Sequence, residues 1–286
     1  MIKLNGTIFG SEEFSNGEVS YKPVEVNKSE GLIRGVNRID LYFQNNKDIT
    51  DLQFAVEFIR NEDLDAEIHL YMLYVPYGRM DRPIKGYAFS LKLFANIINR
   101  LCLDKIVTLD NHSDGITNLI RNVYVQDINP YIHEVIRLYE PDYLFFPDKG
   151  AMKKYPNILN KDILESHPYF YGEKTRVLDD SREIISYELY NGDLNITGRK
   201  ILIIDDICCT GGTVIRAANI MKQRGAADVA LWVAHCENNV IKYDIVREDS
   251  PISKIYTSNS IIRNYKIPEI QTINRENIIT RFASNI

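Results

Sequence analysis

The chain has 286 residues, 45% of them hydrophobic and 26% charged, which fits one large soluble domain or two of ordinary size. A formal net charge of −5 and a pI near 5.6 exclude a general nucleic-acid or anionic-membrane surface, since both attract basic patches. Local basic clusters for small phosphorylated ligands stay open. The four cysteines (Cys102, Cys208, Cys209 and Cys236) have neither metal-ligand spacing nor a disulfide framework, and no run approaches 18 apolar residues. The first residues also carry no apolar signal region, so a soluble, reduced, cytoplasmic protein is expected.

In chain order, residues 68–75 (IHLYMLYV) predict a buried strand ending at Pro76. Residues 90–101 predict a helix, with Leu91, Phe94, Ala95, Ile98 and Leu101 at helical spacing. Further strands are expected at 105–109, 143–146, 201–204, 229–234 and 254–257. Helices are expected at 131–139, just after Pro130, and at 212–224, whose inner stripe includes Val214, Ala218 and Met221 and which Gly225 stops. Residues 173–183 show neither period and are expected as a polar loop. Strands alternating with helices imply βαβ units, and the pattern occurs twice. The expected class is therefore α/β, with two similar domains, each a mainly parallel sheet flanked by helices. The expected boundaries are 1–135 and 136–272, with 273–286 a C-terminal helix packing back on the first domain. In such sheets ligands sit beyond the carboxyl ends of strands, so the residues directly after each strand are the candidates.

Residues 201–213, ILIIDDICCTGGT, stand out on that rule. An apolar strand reaches Asp205 and Asp206, and a short loop then opens a helix at Thr210-Gly211-Gly212-Thr213. Glycines let the backbone approach an anion, and a helix N-terminus supplies unpaired N–H groups. Carboxylates do not bind phosphate, but an acid at a strand end accepts the O–H groups of ribose cis-hydroxyls. A tight turn with an acidic edge and a capping threonine is the plain alternative. Two acids directly after the strand and four residues before TGGT favour a sugar-phosphate seat. The segment resembles the phosphoribosyl-diphosphate fingerprint of the type I phosphoribosyltransferase fold, with Cys209 inside the cradle where a third acid often stands. Both the transferases that consume the activated sugar and the synthetases that make it carry this fingerprint.

The first half of the chain separates the two. VPYGRMDR (75–82), TLDNH (108–112) and FPDKG (146–150) each follow an expected strand. They are similar to the PYARQD, DLH and SPDxGG segments of the ribose-phosphate diphosphokinase family. FSNGE (14–18) resembles that family's FxNxE, KTR (174–176) its catalytic-loop K-x-R, and KIYTSNS (254–260) a later strand and loop, all in the family's order. The resemblance implies two type I phosphoribosyltransferase-like domains, the first binding ATP and the second ribose 5-phosphate. It also implies a Mg2+-dependent transfer of diphosphate from ATP to ribose 5-phosphate, giving phosphoribosyl diphosphate and AMP for nucleotide or NAD biosynthesis. Such a transfer needs positioning and charge neutralisation more than covalent help.

The residue roles are carried over motif by motif. Phe14, Asn16 and Glu18 would take adenine, and Arg79 and Asp81 the rest of ATP. His112 and Asp148 would meet the magnesium ion on the phosphates, and Lys174, Arg176 and His112 would be catalytic. Asp205, Asp206, Cys209, Thr210, Gly211, Gly212 and Thr213 would hold ribose 5-phosphate. The family assembles as homo-oligomers, dimers or hexamers, with the FxNxE segment reaching a neighbour's site. No nucleic acid or membrane partner is expected. Two other readings are a phosphoribosyltransferase, which would not need the segments at Phe14 and Arg79, and a non-catalytic regulatory homologue. Departures from the family pattern are Met80, Lys149, Ala151, Cys209 and the early arrival of Phe14, which implies an abbreviated or replaced first strand and helix. His69, His133, His167 and His235 carry no functional claim.

Overall fold

The computed structural model describes residues 1–23, 35–176, 184–190, 192–261 and 270–273. It divides into two units, Met1–Asp127 and Ile128–Ile286. The division falls before a helix that a boundary at residue 135 would cut. The C-terminal helix expected at 273–286 lies, apart from residue 273, outside the described residues.

The first unit opens with strands β1 (Ile2–Leu4), β2 (Thr7–Glu13), β3 (Val19–Pro23) and β4 (Val36–Leu41), followed by helix α1 (Lys47–Glu62). It continues through β5 (Glu67–Tyr71), α2 (Ser90–Arg100), β6 (Lys105–Leu109), α3 (Gly115–Leu119) and β7 (Val123–Gln126). Among the described residues its sheet runs β3-β2-β1-β4-β5-β6-β7. The pairs from β4 to β7 are parallel, and the β3-β2-β1 ribbon joins β4 antiparallel. Asn5 and Gly6 close the β1–β2 hairpin with φ of 47° and 88°, the two-residue turn chemistry that Asn-Gly supplies. The expected strand list began only at residue 68. It missed β1–β4 because β1 is three residues long and β2 is polar and exposed along most of its length.

The second unit contains α4 (Asn129–Tyr139), β8 (Tyr143–Phe146), α5 (Lys149–Ile158), α6 (Lys161–Ser166), β9 (Tyr169–Arg176) and β10 (Ile184–Tyr190). It continues with β11 (Lys200–Cys208), α7 (Gly212–Gln223), β12 (Asp228–Cys236), β13 (Lys254–Ser258) and β14 (Ile270–Ile273). Among the described residues the order is β10-β9-β8-β11-β12-β13-β14, and every pair but β10–β9 is parallel. The central strands are buried on both faces and read as continuous apolar runs, as parallel sheets require. One face carries Ile201, Ile203, Val229 and Leu231 against the inner stripe of α7, and on the other Trp232 packs on Tyr131 at 5.6 Å.

Three expectations change. The strand placed at 68–75 ends at Tyr71, although Met72 and Leu73 still bond to β6 through Val107 and Leu109. The strand placed at 201–204 runs on to Cys208, because β12 pairs with it as far as Cys208 and Cys236. Residues 173–176, expected in a loop, belong to β9, so Lys174 and Arg176 stand on a strand; residues 177–183 lie outside the described residues. The β9–β10 pairing is a backbone ladder at the sheet edge and does not need apolar alternation in the sequence.

Ile203 is fully buried at the centre of the second unit. Ile203→Ala should lower that unit's unfolding free energy by about 2–5 kcal/mol. Urea denaturation followed by the fluorescence of Trp232, the chain's single tryptophan, checks this in the same unit.

Candidate active site

The carboxyl end of β11 is the centre of the second unit's chemistry. Asp205 pairs in register with Val233 of β12, so both aspartates lie within the strand rather than after it. Side chains alternate along a strand, so neighbouring residues leave opposite faces. Asp205 is on the face of Ile201 and Ile203, where Tyr187 also lies and feels its charge. Asp206 is on the other face, 8% exposed, with the ammonium of Lys154 from α5 at 3.8 Å. The Asp206 N–H donates to the Asp205 carboxylate at 3.0 Å. The two acids are therefore held differently: one faces a buried phenol, the other a cation.

After Cys208 the chain turns into α7 through Gly211, whose φ is +76°. A Cβ there would fall 2.5 Å from Ile245 Cδ1. Only glycine fits, both for the left-handed backbone and for the close approach. The Gly211 carbonyl accepts from the Ile215 N–H at 2.8 Å and starts the helix. The first N–H groups of this 12-residue helix have no intrahelical acceptor and present a positive end beside exposed Thr210 and Gly212. Cys209 is half-buried in the loop, while Cys208 and Cys236 are buried in register with one another. Burial, then the neighbouring Cys208, pushes the Cys236 thiol pKa up.

The end of β8 lies beside this strand. Asp148 is the N-cap of α5, its Oδ1 accepting from the Ala151 N–H at 3.0 Å. The next residue, Lys149, pairs with Glu173 of β9, which raises the lysine pKa through their hydrogen bond. The Tyr187 hydroxyl donates to the Pro147 carbonyl at 2.7 Å. Burial, then the carboxylates of Asp148 and Asp205, drives its phenol pKa well above the ordinary value and keeps it neutral. Lys174 and Arg176 have their backbones on β9, and their side chains lie outside what the structure describes.

The first unit brings a separate set together. A Cβ on Gly78 would sit 3.7 Å from His112 Cβ and 3.1 Å from Ile116 Cδ1, so the loop bearing Arg79 packs on the loop bearing His112. Gly115 makes the same close approach to Asp81, at 3.4 Å. Arg79 and His112 are exposed and Asp81 is half-buried. Phe14, Asn16 and Glu18 form the tip of the β2–β3 hairpin. There Asn16 Nδ2 donates to Glu18 Oε2 at 2.9 Å, and Phe14 is 57% exposed. Two antiparallel pairings make β2 parallel to β4, so this tip lies at the same sheet edge as the Arg79 and His112 loops. It is four strands from β6, roughly 19 Å away at the usual strand spacing.

Lys154 and Tyr187 are contributors that the motifs did not single out. Lys154 follows Ala151 by three residues, a helical spacing that places it on the inner face with Tyr155. Tyr187 had no signal, because its partner is a backbone carbonyl forty residues away in sequence. His235, which follows Ala234 towards the end of β12, is a satisfied core residue, its Nδ1 lying 2.8 Å from Ser260 Oγ.

The chain is similar to several known proteins. The phosphoribosyl transferase domain family matches residues 162–266, which span β11, the glycine turn and α7. A ribose-phosphate pyrophosphokinase from Methanothermobacter thermautotrophicus is 30% identical over 197 residues, 68% of this chain and 65% of its own length. The chain thus spans just under two thirds of that relative. Ribose-phosphate pyrophosphokinase 2 of Archaeoglobus fulgidus is 27% identical over 276 residues, 92% of each chain. The chain is thus similar to ribose-phosphate pyrophosphokinases over most of its length. The solved phosphoribosylpyrophosphate synthetase of Mycobacterium smegmatis superposes with a TM-score of 0.74 at 19% identity, covering 97% of this chain and 91% of that one. This likeness shows the fold, two type I phosphoribosyltransferase-like units.

Three substitutions test the cradle. Gly211→Ala should abolish measurable binding of ribose 5-phosphate in calorimetry, because the strained turn and the Ile245 contact must both rearrange. Lys154→Met should weaken that binding about tenfold, near 1.4 kcal/mol, with Lys154→Arg restoring most of it. Wild-type affinity in all three variants would rule the cradle out.

Proposed function

We propose that this chain is a ribose-phosphate pyrophosphokinase, transferring the diphosphoryl group of ATP to the 1-hydroxyl of ribose 5-phosphate and releasing phosphoribosyl diphosphate and AMP. The observation that carries the reading is a pairing of two kinds of segment. An acid-then-glycine cradle in one unit accompanies an Arg79–Asp81–His112 loop pair in the other, and a transferase that only consumes the activated sugar would not need the latter. Asp205 and Asp206 take the ribose hydroxyls from the two sides of the strand end. Thr210, Gly211, Gly212 and Thr213 hold the 5-phosphate on the N-terminus of α7, and Cys209 shapes the loop between them. Arg79 and Asp81 orient ATP. Lys174 and Arg176 neutralise the diphosphoryl group as it passes between oxygens.

Among the described residues no group of three or more His, Cys, Asp or Glu side chains is placed to hold a metal ion. Magnesium binds through few protein groups and keeps water and phosphate oxygens, so a single imidazole and a single carboxylate suit an ion carried in on ATP. His112 of the first unit offers an imidazole and Asp148 of the second a carboxylate of that kind, and the ion would offset phosphate charge. Phe14 with Asn16 and Glu18 forms an adenine platform. Its separation from the His112 loop within one chain supports its use by a neighbouring copy in a homo-oligomer. No helix among the described residues is long and apolar enough to cross a membrane. The product would serve nucleotide and NAD biosynthesis in a cytoplasmic setting.

Incubation with ATP, Mg2+ and ribose 5-phosphate should yield AMP and phosphoribosyl diphosphate in equal amounts, followed by 31P NMR. Lys174→Ala and Arg176→Ala should each lower kcat by orders of magnitude with little change in ribose 5-phosphate binding. Absence of AMP at any Mg2+ or phosphate concentration would overturn the reading in favour of a transferase or a regulatory homologue.

A further inference from the structure

The edge strand β10 carries one side chain that crosses its neighbour. The sheet order is β10-β9-β8, yet the Tyr187 hydroxyl of β10 donates at 2.7 Å to the Pro147 carbonyl, which directly follows β8. The ring can pass over β9 only because Gly172 has no side chain. A Cβ at Gly172 would lie 2.1 Å from the Tyr187 oxygen, 2.5 Å from its Cζ and 3.0 Å from Phe145 Cζ. The backbone of Gly172 is not left-handed, so the glycine is required by space and not by turn geometry. Tyr187 is 8% exposed, and the bond it makes is buried.

Two groups of the proposed site meet at this tyrosine. On its own hairpin Tyr187 is the register partner of Lys174, and the next residues of β9 lead to Arg176. At its far end the bonded carbonyl belongs to the residue immediately before Asp148. An edge hairpin is held to its sheet on one side only, so a buried bond across the inner strand restricts how it slides or lifts.

We propose that Tyr187, seated in the notch at Gly172, is a positioning residue that fixes the strand bearing Lys174 and Arg176 relative to the turn bearing Asp148. It acts through those residues and touches no reacting atom. The inference rests on the pyrophosphokinase reading for its kinetic consequence, but the anchor itself is a structural claim with its own measurement.

The test compares the full-length wild type with Tyr187→Phe, which keeps the ring and removes only the hydroxyl. Hydrogen exchange should quicken in the peptides covering residues 169–176 and 146–152 and stay unchanged in residues 228–236. In the AMP-forming assay kcat should fall about tenfold, while the KM for ribose 5-phosphate moves by less than about twofold. A general loss of structure would instead raise exchange everywhere and move KM together with kcat.

Gly172→Ala is the second variant: its Cβ displaces the ring, so it should reproduce the exchange pattern. It should also add nothing when combined with Tyr187→Ala, the signature of coupled neighbours. Wild-type exchange in Tyr187→Phe would overturn the anchor. Quickened exchange with unchanged kcat would overturn its role in positioning. A wild type that forms no AMP, with the exchange pattern as expected, would defeat the pyrophosphokinase reading and with it the kinetic role, leaving the anchor standing.

Discussion

The parallel pairing of β11 with β12 runs without a break from Lys200 and Asp228 to Asp205 and Val233, and again holds at Cys208 and Cys236. That reach is the constraint on which the candidate site depends. Because the ladder continues past the apolar run, two carboxylates are carried on strand geometry and forced to opposite faces. The remaining distance to α7 is then so short that the turn requires a left-handed Gly211 packed against Ile245. The acids and the helix N-terminus are thus fixed relative to each other by backbone hydrogen bonds and one tight contact.

Each face of the strand then solves the cost of a carboxylate near the core in its own way. A charge removed from water must find a partner or move its proton equilibrium. Asp206, on the α5 side, has the ammonium of Lys154. Asp205, on the α7 side, has the N–H of its neighbour and lies near Tyr187, whose hydroxyl is turned to Pro147 and held neutral. Asp148 is held by the first turn of α5. The acidic groups at the strand ends are thereby held before any ligand arrives, which is the arrangement expected of a site that works by positioning.

Much of this was legible in the sequence. The strand-turn-helix at 201–213 could be read because its parts are local: acids, glycines and threonines at spacings that carry their own physical reasons. The strands at 105–109 and 143–146 matched because buried parallel strands are short unbroken apolar runs. The ribbon β1–β3 was not legible, since antiparallel edge strands with exposed polar faces owe their form to pairing rather than to pattern. The same cause hid the strand under Lys174 and Arg176. Lys154 and Tyr187 escaped for a different reason: their partners are distant in sequence, and Tyr187 depends on a side chain that Gly172 lacks.

On the proposed function, the end of β11 and the start of α7 form one seat for a phosphorylated ribose. Calorimetric titration of ribose 5-phosphate and of unphosphorylated ribose into the wild type, Asp205→Asn and Asp206→Asn proteins tests it most directly. Ribose 5-phosphate should bind the wild type saturably at one site per chain, and ribose should show no detectable binding. Each asparagine variant should bind the phosphorylated sugar at least about tenfold more weakly, a loss near 1.4 kcal/mol. Unaltered affinity in both variants, or equal affinity for the two sugars, would contradict it.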